Sequence, residues 1–528
     1  MNQKTITLKL KQSLTGLFQN KSNIPVLILF IASYFIFFWK LGEGGIRQWD
    51  ESSLAVNALE MSLNENPIVK YLGGEIDLIN TKPPLAIWFI VGCMRIFGYT
   101  EFALRLPSAI CALVTVFIIY IFCRYYLNNS LAAFLSGLVL ITSIGFTGEH
   151  VARTGDYDAM LILWITIYSL SYFIFLEAKE KRKKKVFLAI TTVALVLAVW
   201  TKGIAGLLVL PSLFIYTIYK NKVKDLLRSP SIYISAIAFI ALSLSYYFLR
   251  EFYSPVFLKA VLENELTGRY MDVVPGGTQR GFLYYLTGMI SYRFRPWIYL
   301  LPLCWIANFA KQVKVIRNFS VFGLIYFFSY LFIISYSKTK FPWYDAPLYP
   351  IASLMIGLGM ATLIEAFIVF VMRKKNVRQI PLFQDKIIYG LIITSIFFVP
   401  YFKNLHEVYQ GIPFRQNHES ITDVSILYRD YFKELRSLSP EIRPGKSIVI
   451  NTVEYNLPLL YYVQAAEVNK KHSLTLEWKK KTNMVFKNGD VIINCDSTIN
   501  KKLGEEYITQ LLHRSSSCKT LVIQNKKS

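Results

Sequence analysis

Asp50 and Glu51 stand side by side after Trp49. A carboxylate at the edge of a low-dielectric region can take a proton from a hydroxyl or hold a cation. The pair also fits a helix start, because it precedes Ser52 and an apolar-periodic run from Leu54 to Met61, and an Asp at that point accepts backbone N–H bonds. Lys82 is followed by Pro83 and Pro84. Its ammonium can hold a phosphate as a point charge or snorkel toward lipid headgroups. Arg153, Asp156 and Asp158 crowd three charges into one short segment, which is costly beside apolar helices unless they pair with one another or with a ligand. Both an arginine-carboxylate clasp and a ligand site satisfy that condition.

Three further groups complete the set: Thr201-Lys202-Gly203, then Glu263-Asn264-Glu265 with Arg269 and Tyr270, then Ser337-Lys338 through Tyr344. Cations, carboxylates and aromatic rings gathered on one face suit an anionic, lipid-linked substrate.

The elements that must position these groups are membrane helices. Of 528 residues, 54% are hydrophobic and 17% charged, and apolar runs close to the ~20 residues that span a bilayer recur over the first three quarters of the chain. The fold class is a polytopic α-helical membrane protein of about 11 to 13 spanning helices with a small C-terminal extracytoplasmic α/β domain. A net charge of +24 does not signal nucleic acid, since the basic residues form no single solvated face or tail. They cluster between apolar runs, at Lys179 to Lys185, Lys220 to Arg228, Lys311 to Arg317 and Arg373 to Arg378, as cytoplasmic loops do.

That bias sets the threading. Residues 1–23 read as a cytoplasmic tail, and Ile24 to Leu41 crosses outward. The stretch Pro83 to Phe97 is short, opens with two prolines and holds Arg95, so it lies along the interface. Were it to cross, Lys179 to Lys185 would move outside, against the charge bias. External loops are then expected at 42–100, 147–158, 249–295 and 337–347, with the membrane domain over 24–401 and an exported domain over 402–528. All six ionisable groups fall on the external side. Cys495 and Cys518 lie in the exported part, where they could form a disulfide.

The ordered set Trp49-Asp50-Glu51, Lys82-Pro83-Pro84, Arg153 with Asp156 and Asp158, Thr201-Lys202-Gly203, Glu263 to Tyr270, and Ser337 to Tyr344 resembles the GT-C fold polyprenyl-phosphate-sugar glycosyltransferases. The likeness, strongest to the lipid A aminoarabinose transferases and the protein O-mannosyltransferase superfamily, runs from about Ile24 to Tyr401. It implies an inverting transfer of a sugar from a polyprenyl phosphate to a lipid A, glycan or protein acceptor at a bacterial inner membrane. By resemblance Asp50 is the catalytic carboxylate, and Lys82, Arg269 and Tyr344 hold the donor phosphate. Arg153, Asp156 and Asp158 shape the sugar site, and Glu51, Lys202, Glu263 and Lys338 join the sugar or acceptor region. Relatives with a zinc-linked carboxylate and histidine carry Glu and His where this chain has Thr81 and Asn264, so a zinc site of that type is not expected, although Glu51 and Asp158 suit a divalent cation. A flippase for lipid-linked saccharides is the alternative. It calls for ionisable residues near the midplane and repeated helices, and neither is evident.

Overall fold

The computed structural model describes residues 23–148, 150–267, 278–374, 382–410, 421–437, 447–451, 456–468, 476–480 and 485–527. Arg269 and Tyr270 therefore lie outside the described residues. The principal helices are α1 Ile24–Phe37, α2 Asp50–Asn64, α3 Leu85–Phe97, α4 Glu101–Ile121, α5 Ser130–Ile141, α6 Asp158–Glu177, α7 Lys181–Lys202, α8 Leu210–Tyr219, α9 Pro230–Tyr253, α10 Trp297–Ala310, α11 Lys314–Tyr336, α12 Leu348–Lys374 and α13 Leu382–Gln410. Six described helical spans are long and apolar enough to cross a membrane, and Ile24–Phe37, Leu85–Phe97, Ser130–Ile141, Leu210–Tyr219 and Trp297–Ala310 are shorter apolar helices. The chain is a multi-span membrane protein. α9 illustrates the solvent: only 11% of its most apolar stretch is buried, and Ile234, Ile237, Phe248 and Phe252 face outward, as lipid-facing side chains do.

Composition alone places one boundary near residue 402. The chain instead divides into two discontinuous compact units, one of residues 1–41, 78–86 and 106–408, the other of 42–77, 87–105 and 409–528. The first is the helical bundle. Its helices approach closely where small residues meet: a Cβ on Gly357 would strike Ser136, one on Gly359 would strike Cys304, and one on Gly323 would strike Met355. Without a hydrophobic drive between helices in lipid, such close backbone contact supplies the packing energy. Buried polar groups then lock the register, with Asn308 donating to the Met355 carbonyl and the Trp297 indole to Thr142. At one end of the bundle Glu177, the last residue of α6, accepts from Tyr216, Lys220 and Asn318. The chain direction puts Asp158, the first residue of α6, at the opposite end.

The second unit joins the loop after α1, α2 and α3 to the C-terminal segment. That segment contributes α14 Ile421–Ser437, α15 Leu457–Val468, α16 Ser497–Glu506 and five strands: β1 Ser447–Asn451, β2 Leu476–Lys480, β3 Val491–Asn494, β4 Tyr507–Ser515 and β5 Cys518–Lys526. They form one mixed sheet in the order β2-β1-β3-β5-β4, parallel from β2 to β3 and antiparallel beyond. Ile448, Ile492, Leu503, Tyr507 and Leu521 fill its core. A disulfide joins Cys495 to Cys518. The physical reason for the discontinuous division is polar as well as apolar: Gln464 of α15 donates to Glu60 of α2, Tyr462 donates to Glu101, and Arg429 of α14 pairs with Glu101.

Candidate active site

A cavity opens in the helical bundle, lined by Asp158, Lys202, Glu265, Tyr330, Ser337 and Tyr344 against a wall that includes Ile204, Leu208, Ile333 and Ile334. Its polar groups come from helix ends. Asp158 starts α6, Lys202 ends α7, and Ser337 follows α11. α7 stops there because Gly203 takes a positive φ of 57° and a tight 3-10 turn follows, a conformation that glycine alone adopts without steric cost.

Lys202 Nζ reaches Asp158 at 2.5 Å, with the two side chains 7% and 4% exposed. The same ammonium lies 5.7 Å from the centre of the Tyr344 ring. A buried ion pair of this kind is held by mutual neutralisation. Facing a cavity, it also offers a fixed dipole and a ring edge to a polar guest. Glu265 is buried and accepts from the Thr81 hydroxyl at 3.1 Å, while Asn264 donates to the Leu78 carbonyl. A hydroxyl and a carboxamide are poor zinc ligands beside imidazole and carboxylate, and Thr81 and Asn264 are engaged with Glu265 and the Leu78 carbonyl.

The segment before Asp158 carries the other charges. Asp156 is buried, accepts from the Tyr157 N–H and meets His150 Nδ1 at 2.8 Å. Burial pushes the Asp156 carboxyl up, but the hydrogen bond and charge of His150, with the charge of Lys202, outweigh it and leave the group below its usual value. His150 in turn stacks on Trp343, with ring centres 3.6 Å apart. Lys82 Nζ lies 5.3 Å over the Tyr157 ring, and Asn80 shares hydrogen bonds with the Tyr157 hydroxyl. Lys82 thus lies against the same segment that carries Asp156 and Asp158. Arg153 points elsewhere: its guanidinium donates to the carbonyls of Ile36, Trp39 and Lys40. Those are the open carbonyls at the end of α1, which a cation stabilises.

In the second unit, Asp50 is exposed as the first residue of α2, and the preceding Trp49 holds a φ of +77°. Glu51 is 2% exposed and bound to Arg105 at 2.7 Å. Burial pushes the Glu51 carboxyl up, yet the Arg105 guanidinium, with help from Arg47, holds it down at about 2. Glu51 is therefore committed to the protein's own arginine. Glu263 is exposed beside Lys259 at 3.8 Å, and Lys338 is exposed.

Three comparisons with known proteins bear on this arrangement. Residues 81–247 match the sequence profile of the family described as dolichyl-phosphate-mannose-protein mannosyltransferase. An undecaprenyl phosphate-alpha-4-amino-4-deoxy-L-arabinose arabinosyl transferase of Proteus mirabilis is 26% identical over 342 residues, 64% of this chain and 60% of that protein. The crystal structure of ArnT from Cupriavidus metallidurans bound to undecaprenyl phosphate superposes with a TM-score of 0.67 at 16% identity, covering 95% of this chain and 98% of that one. The chain has the GT-C fold. An oligosaccharyltransferase of Archaeoglobus fulgidus shares the GT-C fold more distantly, with a TM-score of 0.52 at 12% identity over 84% of this chain and 64% of that one. The chain spans about three fifths of the length of the curated relatives it matches.

Within this GT-C chain, the bundle brings together Asp156, Asp158, Lys202 and Tyr344, with Lys82 against Tyr157. It does not bring Arg153, Glu263 or Lys338 to the cavity. Reading the sequence missed His150 and passed over Glu265. His150 was detectable as a histidine in the short loop between α5 and α6, six residues before Asp156. Glu265 was visible in its triplet, but nothing in the sequence set it apart from Glu263.

Proposed function

We propose that this protein transfers a sugar from an undecaprenyl-type phosphate to a lipid A, glycan or protein acceptor on the extracytoplasmic face of the bacterial inner membrane. The observation that carries this reading is the cavity at one end of the bundle, where the Asp158–Lys202 pair, Glu265 and Tyr344 meet an apolar wall. It supports a guest with a polar head and a lipid body. Charge supports this side of the membrane. Asp158 begins α6 and Lys202 ends α7, and the connection between these helices at their other ends carries Lys179 to Lys185, which the positive-inside bias keeps in the cytoplasm.

In this reading the bond between the anomeric carbon and the phosphate oxygen breaks, and its electron pair leaves with the phosphate. Lys82 and Arg269 supply the positive charge that stabilises the departing group, and Tyr344 borders it. The acceptor oxygen attacks the anomeric carbon from the opposite face, so the configuration inverts. A hydroxyl acceptor gives its proton to Asp50 acting as general base. A phosphate acceptor needs no deprotonation, and Asp50 then stabilises positive charge developing on the sugar. Asp156, held by His150, and Asp158, held by Lys202, shape the sugar subsite. Exposed Glu263 and Lys338 suit acceptor contacts at the rim.

Sugar transfer by the purified protein from defined undecaprenyl-phosphate donors to a panel of lipid A, glycan and peptide acceptors tests this. Transfer to one class names the acceptor. No transfer from any donor, with lipid-linked sugar crossing liposomes instead, would replace this reading with a flippase.

A further inference from the structure

The loop that delivers Asp50 is tied down at several points, and the groups that hold it come from three distant parts of the second unit. Arg105 donates from its guanidinium to the carbonyls of Glu43, Gly44 and Gly45 as well as to Glu51. The N–H of Ile46 donates to the Tyr462 hydroxyl at 2.9 Å, and the N–H of Arg47 to Glu51 at 2.8 Å. Gly45 runs so close to α14 that a Cβ there would lie 2.4 Å from Ile426. Trp49 then takes its positive φ, and its carbonyl accepts from Ser52. A bulky residue holds that conformation only where its surroundings over-determine it.

The restraints converge on the C-terminal segment. Tyr462 donates to Glu101 Oε1 at 2.9 Å, and Arg429 pairs with the same oxygen at 2.7 Å. Glu101 opens α4, one turn before Arg105. Burial disfavours the charged guanidinium of Arg429, but its bonds to Asp430 and Glu101 keep it firmly protonated. One chain of contacts thus runs from Arg429 through Glu101 and Tyr462 to Ile46, and a second from Arg105 to Glu51, next to Asp50. Nothing in the fold of a five-stranded sheet requires its flanking helices to spend a half-buried arginine on Glu101 and a tyrosine hydroxyl on Ile46, 416 residues away in sequence.

We propose that the C-terminal domain is a positioning device for the active site: Arg429 and Tyr462, acting through Glu101, with Arg105 and Glu51, hold residues 43–49 so that Asp50 is presented in one orientation. This rests on the reading of Asp50 as the reacting carboxylate. Glu51 is then a positioning residue, and the domain acts on the rate of transfer through the loop, with no need to touch the sugar.

The test uses the full chain in lipid nanodiscs. Arg429→Met, Arg429→Lys, Tyr462→Phe and Asp50→Asn are compared with wild type by hydrogen exchange of the amides from Glu43 to Ser53. The same proteins are assayed for transfer from undecaprenyl phosphate-linked 4-amino-4-deoxy-L-arabinose to lipid A. In Arg429→Met, loss of a charged hydrogen bond speeds exchange in that segment roughly 10- to 100-fold. Misplacement of Asp50 lowers kcat about 10- to 100-fold with the donor KM within about 2-fold, and Arg429→Lys recovers part of both. If Arg429→Met fails to fold, Tyr462→Phe carries the test, with a smaller change in the same direction. Unchanged exchange in both variants overturns the proposal, as does faster exchange with unaltered kcat when Asp50→Asn is inactive. Full activity of Asp50→Asn would sink the underlying reading instead. Should wild type transfer nothing, the transferase reading fails while the exchange measurement still decides whether the domain holds the loop.

Discussion

Two buried carboxylate–cation pairs, Glu51–Arg105 and Asp158–Lys202, have nearly the same length and burial and opposite surroundings. Arg105 spends its remaining donors on three backbone carbonyls, and Glu51 takes a backbone N–H besides. Every group in that pair is consumed by the loop it holds. Asp158 and Lys202 line a cavity and share it with Glu265, Tyr330 and Tyr344. An ion pair saturated by its own backbone is architecture, whereas one left facing an apolar-walled space is available to a guest. The contrast separates structural from functional charges better than burial alone, which is equal for the two.

Substitution should split the pairs. Arg105→Met strands Glu51 and three carbonyls, and about 3 to 5 kcal/mol of stability is lost, read as a lower unfolding temperature in detergent. If it costs no more than Asp158→Asn, the contrast collapses. The pH dependence comes next. The Glu51 carboxyl is held at about 2 in the fold against 4.5 in its absence. Its stabilising contribution, on the order of 3 kcal/mol, is therefore complete above about pH 4.5 and is lost as pH falls toward 2. Glu51→Gln should be less stable than wild type at neutral pH, with the gap closing in acid; a gap that stays constant down to pH 2 would contradict the depressed titration.

Asp158→Asn should lower transfer roughly 100-fold at a stability cost of only about 1 to 2 kcal/mol, because cavity water can solvate Lys202. Equal transfer by this variant would remove the cavity from the sugar site. The smallest effect belongs to Glu263→Gln: its pair with Lys259 is exposed, so stability should change by less than about 0.5 kcal/mol.

Much of this was legible in the sequence because membranes impose strong rules. Apolar runs gave the helices, and in the C-terminal part the β-rich runs Ser447 to Ile450 and Thr520 to Ile523 lie within β1 and β5, while the run Asp490 to Asn494 holds β3 and extends one residue before it. The possible link between Cys495 and Cys518 is formed. Pairing was not legible. Asp158 and Lys202 are 44 residues apart, and Tyr462 and Glu101 are 361 apart, distances over which one sequence carries no contact signal. Arg105 was overlooked inside an apolar helix, although an ionisable residue in such a run calls for a partner. Arg153 looked like a clasp for Asp156 and Asp158 by proximity, yet the open carbonyls at the end of α1 hold it.

The most direct test compares wild type and Asp50→Asn for transfer from undecaprenyl phosphate-linked sugar, with undecaprenyl phosphate binding measured on the same samples. Asn at this position is expected to abolish transfer, while folding and binding of the lipid phosphate are kept. An Asp50→Asn protein that transfers sugar at the wild-type rate would contradict it.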